Sequence, residues 1–351
     1  MNYAKKGAPQ GRRKPPLRRK KRGRLTLDKI KRNARIFVRE YKRELPKNPL
    51  LFAPLLVMGI LLLLFICNLF FRLTSPGDVH LYVAVAAIYL IALFLPTMLY
   101  LQARPQLKSS MGLALPRTEH ISLIALSSLT LFFGAATITS LTAYFGMTEV
   151  PYSLYTFFSI PASTPMAGLF FSLMTFALIP AVLEELLLRG VIFAETRPYG
   201  AVTAVVVSSV LSALLPMQPT SLLSALFCGA LLALVRLLTD SLLASVIVHL
   251  FYRTLCLFYE HFFGIMGDRL GEFLILFFLC AVFAMLLAFF LLGELERLFR
   301  RLSLERRDSA TSDIASDQSS SLKTRDALRI FAISPTTIGT IILYFVCSFI
   351  L

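Results

Sequence analysis

Long apolar runs separated by short polar segments make up most of the chain. About 20 apolar residues in a helix span the ~30 Å hydrocarbon core of a membrane. Apolar runs that reach or approach this length cover residues 51–71, 81–100, 121–145, 166–194, 201–216, 221–238, 241–262, 272–293 and 336–351. The run 201–216 ends at Pro216 and is either a full crossing or a half-length, tilted element. The pattern therefore predicts an all-α fold, a multispanning integral membrane helical bundle with about 8–9 transmembrane helices.

Composition supports a membrane protein and shows where the charge lies. Hydrophobic residues make up 56% of the chain and the mean hydropathy is +0.71, which excludes an ordinary soluble domain. Residues 1–47 contain 19 of the 36 Lys+Arg and three of the 20 Asp+Glu, whereas the rest of the chain carries 17 of each. The basic character is therefore a property of the N-terminal arm alone.

All five cysteines lie inside apolar runs, with no paired spacing of the metal-binding kind and no cluster in a loop. They are Cys67, Cys228, Cys256, Cys280 and Cys347. We interpret them as reduced packing residues without a disulfide framework. The sequence therefore predicts no metal and no other cofactor.

The pattern divides the chain into five segments. They are a basic cytoplasmic arm with an amphipathic helix (1–47), N-terminal transmembrane helices (48–150), a core (151–293), a cytoplasmic loop with a disordered Ser/Asp-rich linker (294–335), and a C-terminal transmembrane helix (336–351).

Lys and Arg beside the apolar runs set the predicted orientation, because cytoplasmic flanks are enriched in them. They place the N-terminus in the cytoplasm of a multi-pass plasma-membrane protein. Arg72, Arg253 and Arg269 are exceptions to the pattern, because they fall on the other side of the membrane.

The arm contains "LTLDKIKRNARIFVREYKREL", whose apolar residues recur every three or four positions. This stripe predicts a basic amphipathic helix on the anionic lipid surface of the inner leaflet. The alternative is an ordinary tail that only sets the topology. The arm has no zinc, RNA-binding or helix-turn-helix pattern, so no nucleic-acid partner is expected.

Two adjacent carboxylates and an arginine interrupt the apolar run in "AVLEELLLRGVIF", residues 181–193. A charge in a lipid-facing helix costs ~2.5–3.5 kcal/mol, so such residues usually face a cavity and mark function. Glu185 and Arg189 are four residues apart and are predicted to form an ion pair. Glu184 lies about 100° away with no cation at helical spacing, so it is the candidate general base for water. Alternatively, all three charges lie at the cytoplasmic end of the helix and contact water.

A second polar stripe lies in "TDSLLASVIVHLFYRTL", where Asp240 is the predicted helix N-cap. The residues that follow at four-residue steps along one helical face are Ser241, Ser245, His249 and Arg253. A single helical histidine is more often a packing residue than a catalyst. Here the stripe and the separate glutamate helix favour a functional His249.

These two stretches resemble a known family. "EELLLR", within "LIPAVLEELLLRGVIF", is similar to the EExxxR first motif of the CPBP family, which includes type II CAAX prenyl endopeptidases and bacteriocin-related immunity and processing proteins. "SLLASVIVHLFYR" resembles the family's third motif, HxxxN or HxxxD, and the resemblance covers roughly residues 165–260. The core segment 151–293 is therefore CPBP-like.

The resemblance implies an intramembrane glutamic protease that needs no metal. In it, Glu184 would be the water-activating base, and Glu185 and Arg189 would support that base. His249 would donate a hydrogen bond on the oxyanion side of the scissile carbonyl, which is the second requirement of hydrolysis.

The chain departs from the family at two positions. The second motif, FxxxH, corresponds to "SSVLSALLPMQ", which offers Ser212 and Pro216, and Arg253 stands where the third motif has Asn or Asp. An arginine can donate hydrogen bonds to an oxyanion, or it can pair with Glu184 across the helices and leave a structural polar core.

Three hypotheses follow from these observations. The first is an active endopeptidase with an altered site, which cuts membrane-associated protein or peptide substrates near the cytoplasmic face. The second is a catalytically inactive relative that acts as a membrane binding or immunity scaffold. The third is a proton-coupled transporter, since intramembrane Glu, His and Arg also serve transport.

Overall fold

The computed structural model describes residues 49–74, 78–145, 164–259, 261, 269–312 and 324–350. These residues form helices and short connections, with no β-strand among them, which confirms the all-α prediction. The predicted amphipathic helix of the arm lies outside the described residues.

Ten helices make up the described part of the chain. They are α1 (Pro49–Thr74), α2 (Asp78–Ala103, with a π-helical turn at Leu90–Phe94), α3 (Ile121–Tyr144), α4 (Met166–Thr196, with π-helical turns at Leu173–Leu178 and Leu186–Ile192), α5 (Ala201–Leu214), α6 (Leu222–Thr239), α7 (Leu242–Leu257), α8 (Arg269–Ser312), α9 (Thr324–Ile333) and α10 (Pro335–Ile350). Short single-turn helices lie at Leu107–Ser110, Thr118–His120, Arg197–Tyr199 and Pro219–Ser221.

The number of membrane-spanning helices is lower than the predicted eight or nine. Within the described ranges, six helices are long and apolar enough to span a membrane, and α9 with α10, bent by 50°, makes a seventh if counted as one span. Helix α5 has 14 residues and α7 has 16. At ~1.5 Å per residue they are about 21 and 24 Å long, shorter than the ~30 Å hydrocarbon core. The count was too high because both helices end before their apolar runs do.

Much of the predicted cytoplasmic loop 294–335 is helical in the structure. Helix α8 continues as one helix of 44 residues to Ser312, and Thr324–Ile333 forms α9. The segment "RLFRRLSLERR" is rich in Arg and Leu, which are strong helix formers, and its charges do not interrupt the backbone pattern. Most of the Ser/Asp-rich linker lies outside the described residues.

Helices α4, α5, α6 and α7 pack together and form the centre of the bundle. Helices α5 and α6 approach closely at Gly229, where an added Cβ would lie 3.0 Å from the Ser209 carbonyl oxygen. Helix α10 packs on α1, where the Thr340 hydroxyl donates to the Pro54 carbonyl at 3.0 Å. Helix α4 is therefore surrounded by packed helices where its charged residues lie.

The turn before α7 differs from the predicted cap. Ser241 is the N-cap, since its hydroxyl accepts the Ala244 N–H at 3.3 Å. Asp240 instead adopts a left-handed conformation with φ +51° and pairs with Arg236 at 2.9 Å. Either Asp240 or Ser241 could accept a hydrogen bond from an N–H in the first turn of α7. The backbone conformation of the turn decides which of them does.

The α2–α3 connection binds this turn. The Leu242 N–H donates to the Gly112 carbonyl at 2.7 Å, and the Ser241 hydroxyl donates to the Ala114 carbonyl at 2.6 Å. Gly112 has φ +64°, and an added Cβ would lie 2.5 Å from the Arg236 guanidinium. The connection therefore fixes the start of α7, the helix that carries His249.

Gly112→Ala is expected to lower the thermal stability of the purified protein. The substitution combines an unfavourable backbone conformation with a clash against the Asp240 carbonyl oxygen, which would lie 2.7 Å from the added Cβ. Strain of this kind costs on the order of 1–3 kcal/mol. Gly59→Ala is the matched control, since an added Cβ there has nothing within 4 Å. Equal melting temperatures for both variants would contradict the packing described for the turn.

Candidate active site

The five residues singled out in the sequence meet at the contact between α4 and α7. Glu184, Glu185 and Arg189 come from α4, and His249 and Arg253 from α7. Glu185 and Arg189 have no exposed surface, Glu184 is 6% exposed and His249 5%. The glutamates lie immediately before the π-helical turn Leu186–Ile192. Such turns are rare and often occur at functional sites.

Glu185 is the centre of the more buried half of the site. Arg189 Nη1 donates to Glu185 Oε1 at 2.8 Å, so the predicted ion pair is present. The same guanidinium donates through Nη2 to the Gly229 carbonyl at 2.7 Å. His249 Nδ1 lies 2.9 Å from Glu185 Oε1. The pair therefore holds the histidine as well as tying α4 to α6.

Glu184 is not the unpaired carboxylate that helical spacing predicted. Arg253 Nη2 donates to Glu184 Oε1 at 2.8 Å, and the Tyr89 hydroxyl from α2 donates to the same oxygen at 3.4 Å. The prediction was wrong because it considered cations on α4 only, whereas the partner lies on α7. The cross-helix pairing raised as the alternative is the arrangement in the structure.

The hydrogen bonds around His249 define its tautomer. Arg253 Nε–H points at His249 Nε2 at 3.3 Å, so Nε2 accepts a hydrogen bond. Nδ1 then carries the proton and donates to Glu185 Oε1. The tautomer with the proton on Nδ1 is therefore the one that fits both contacts. Its Nε2 atom is an acceptor there, in contrast to the oxyanion-side donor that the family resemblance implied.

A small polar cavity, here called the polar chamber, adjoins these side chains. It has a volume of about 70 Å³, enough for a few water molecules. Its lining comprises Glu184, His249, Tyr252 and Arg253 together with Cys228, Leu232 and the α5–α6 residues Ser212, Leu215, Pro216, Ser221, Ser224 and Ala225. The segment matched to the second family motif therefore does reach the site, but with a hydroxyl and a proline in place of the aromatic ring and imidazole.

Sequence reasoning missed three residues that shape this site. Tyr89 contacts Glu184 from α2, Gly229 accepts from Arg189, and Cys228 lines the cavity. None of them belongs to a charged pattern, and each lies in an apolar run of ordinary composition. Among the described residues, no group of three or more His, Cys, Asp or Glu is arranged to hold a metal ion.

A larger apolar cavity lies on the other side of Tyr252. It has a volume of about 650 Å³ and lies between α3, α7 and α8. Its apolar wall includes Phe132, Ala136, Phe145, Cys256, Leu270 and Phe273. Tyr252 lines both cavities, so its side chain separates the polar chamber from an apolar space large enough for a sizeable ligand.

Residues 165–255 match the family model of the Rce1-like type II CAAX prenyl endopeptidases, a branch of the CPBP family. The matched segment contains all five site residues and the whole of the polar cavity lining. A search of curated proteins and a search of solved structures each found no match. The resemblance predicted from the sequence is confirmed for this segment.

Arg253→Met is expected to destabilise the protein by about 3–5 kcal/mol, because it leaves the buried Glu184 carboxylate without its cation. The double variant with Glu184→Gln should be less destabilised than the sum of the single variants by about 1–3 kcal/mol. Equilibrium unfolding of the purified proteins in SDS measures the free energy of unfolding of the wild type, the two single variants and the double variant.

Arg117→Met is the matched control for this cycle. Its ion pair with Glu119 is 3.3 Å long, but the side chains are 69% and 48% exposed. Removal of so exposed a pair costs below about 1 kcal/mol. Strictly additive effects of Arg253→Met and Glu184→Gln would show that the buried ion pair does not form.

Proposed function

We propose that this protein is a CPBP-type intramembrane endopeptidase that hydrolyses peptide bonds of membrane-associated protein or peptide substrates with water activated by Glu184. The observation that carries the proposal is a water-sized cavity bordered by Glu184 and His249, within the segment that matches the Rce1-like endopeptidases.

The two oxygens of Glu184 have different surroundings. Oε1 accepts from Arg253 and Tyr89, whereas Oε2 lies 3.8 Å from His249 Nε2. That distance is too long for a direct hydrogen bond and is in the range that a bridging water spans. A water that donates to Oε2 there, and to Nε2 once Arg253 turns away, is the proposed nucleophile.

The reaction then proceeds with the side chains present. Glu184 accepts a proton as the water oxygen forms a bond to the scissile carbonyl carbon. The carbonyl oxygen becomes an oxyanion, and the Arg253 guanidinium turns from Glu184 to donate to it. The C–N bond breaks when Glu184 returns the proton to the departing amine. Glu185 and Arg189 keep His249 in place throughout.

Arg253 takes over the oxyanion contact that the third family motif assigns to Asn or Asp. It stands where the third motif has Asn or Asp, and the second motif has no histidine at Pro216. A guanidinium presents several donors in a fixed plane, so one Arg can serve the oxyanion without an amide. Its pairing with Glu184 defines a resting state that substrate must displace.

The apolar cavity beside Tyr252 supports a substrate that is itself membrane-associated. The cavity has a volume of about 650 Å³ and adjoins the polar chamber at Tyr252. An apolar segment seated there gains free energy from burial and places an adjoining peptide bond next to Tyr252.

For localisation, we propose the plasma membrane, with the N-terminus in the cytoplasm and the arm on the anionic inner leaflet. The 19 Lys+Arg of residues 1–47 support this orientation and this lipid partner.

One observation favours a second function. The Glu184–Arg253 ion pair at 2.8 Å neutralises the proposed base, and Pro216 replaces the second imidazole. A catalytically inactive relative would retain this arrangement as a polar core and bind membrane proteins or peptides, for instance as an immunity scaffold. Such a protein would need the ion pair for stability and would leave membrane-protein termini unchanged.

The proposal predicts new membrane-protein termini in cells that contain the wild-type protein. We expect them to vanish in cells that lack it and in cells with Glu184→Gln or His249→Ala at matched abundance. Glu119→Gln, which alters a half-exposed carboxylate that does not line the polar cavity, should leave them in place. Mass spectrometry of membrane-protein termini measures this, and identical termini in all strains would support the inactive scaffold.

A further inference from the structure

One end of the bundle, here called the basic end, is defined by contacts between the α2–α3 connection and three other segments. Arg236, near the end of α6, donates to the Ser110 carbonyl at 3.3 Å. Arg104, which follows α2, pairs with Glu195, near the end of α4, at 3.0 Å. The start of α7 is bound to Gly112 as described above.

The starts of α1 and α9 lie at the same end. The Arg104 guanidinium lies 5.4 Å from the centre of the Phe52 ring, in the first turn of α1. Gly200 lies between α4 and α5, and a Cβ added to it would be 2.8 Å from the Thr324 hydroxyl at the start of α9. The basic end therefore includes residues from nearly every part of the described chain.

Lys and Arg concentrate at the basic end. Those in or beside its connections are Arg104, Lys108, Arg117, Arg197, Arg236, Arg325 and Arg329. The basic residues toward the opposite end are Arg72, Arg253 and Arg269, among the described residues. Residues 1–47, with 19 Lys+Arg, lead into α1. Because Lys and Arg accumulate in cytoplasmic flanks, this asymmetry makes the basic end cytoplasmic.

The polar cavity faces the other end. Its rim includes Pro216 and Ser221, in the turn between α5 and α6, which is the turn farthest from the basic end on both helices. Arg253 lies 11 residues beyond Leu242, so it is about 16 Å along α7 from the basic end. Both residues at the rim are half-buried, as expected for the mouth of a cavity.

The short α5 explains how water reaches so deep a site. With 14 residues it covers about 21 Å of a ~30 Å hydrocarbon core. A helix that starts at the basic end therefore stops below the opposite membrane surface. The turn after it leaves a depression, and non-helical backbone at this depth is tolerated where it lines a water-filled space.

We propose that the polar chamber at Glu184 opens toward the extracytoplasmic side and takes its substrate from that half of the membrane. The substrate class is then an extracytoplasmic or outer-leaflet segment of a membrane protein or peptide. Tails of cytoplasmic proteins are excluded from it. This differs from the cleavage near the cytoplasmic face that the sequence suggested. The identity of the chamber as a reaction site rests on the proposed function, whereas its direction of opening does not.

Labelling of single cysteines with a charged, membrane-impermeant thiol reagent tests the direction. The background carries Ser at all five native cysteine positions. Ser221→Cys and Pro216→Cys report the cavity rim, and Ser109→Cys reports the exposed basic end.

In right-side-out vesicles, the rim cysteines should react more than about tenfold faster than the cysteine at 109, because the charged reagent does not cross the hydrocarbon core. In inside-out vesicles the order should reverse. Complete labelling in SDS confirms that each thiol is present, and equal thermal stability of the variants confirms folding.

The opposite order in the two vesicle types would overturn the proposal, and so would equal labelling from both sides. Rim cysteines that react from neither side would show that the chamber is closed to water at that end, which also overturns it. Labelling requires no catalysis, so Glu184→Gln should give the same pattern. Failure of the protease hypothesis is therefore distinguishable from failure of this one.

Discussion

The structure depends on charge pairing between α4 and α7 inside an apolar bundle. Two carboxylates and two guanidinium groups meet around the imidazole of His249, and the formal charges of Glu184, Glu185, Arg189 and Arg253 cancel. An unpaired charge at such a place costs several kcal/mol, whereas paired charges with hydrogen bonds are tolerated. The pairing therefore fixes which faces of the two helices meet, and it places a water-sized cavity beside Glu184.

The same network sets the chemical character of the site. Glu185 and Arg189 act within one helix and hold His249, which gives a rigid inner half. Glu184 and Arg253 pair across helices at the edge of the cavity, which gives an outer half that a substrate can reach. Under the proposed function, a base, a cation for the oxyanion and a place for water are thus adjacent. Hydrolysis needs these three parts, although Pro216 stands where the second family motif has histidine.

Sequence patterns predicted the contacts between residues that are close together in the chain. Apolar runs located the helices, and four-residue spacing predicted the Glu185–Arg189 pair and the His249–Arg253 face. Contacts between helices were not predictable in the same way. Arg253 pairing with Glu184 depends on how α4 and α7 pack, and the lengths of α5 and α7 depend on where their backbones turn rather than on where apolar residues end.

The most direct measurement is an experimental structure of the protein in a lipid environment, at a resolution that shows ordered water. We expect a water within hydrogen-bond distance of Glu184 Oε2, in the cavity bordered by His249 and Arg253. A dry cavity filled by the Arg253 side chain, with no room for water at Glu184, would contradict the proposed catalysis and leave the network as a structural core.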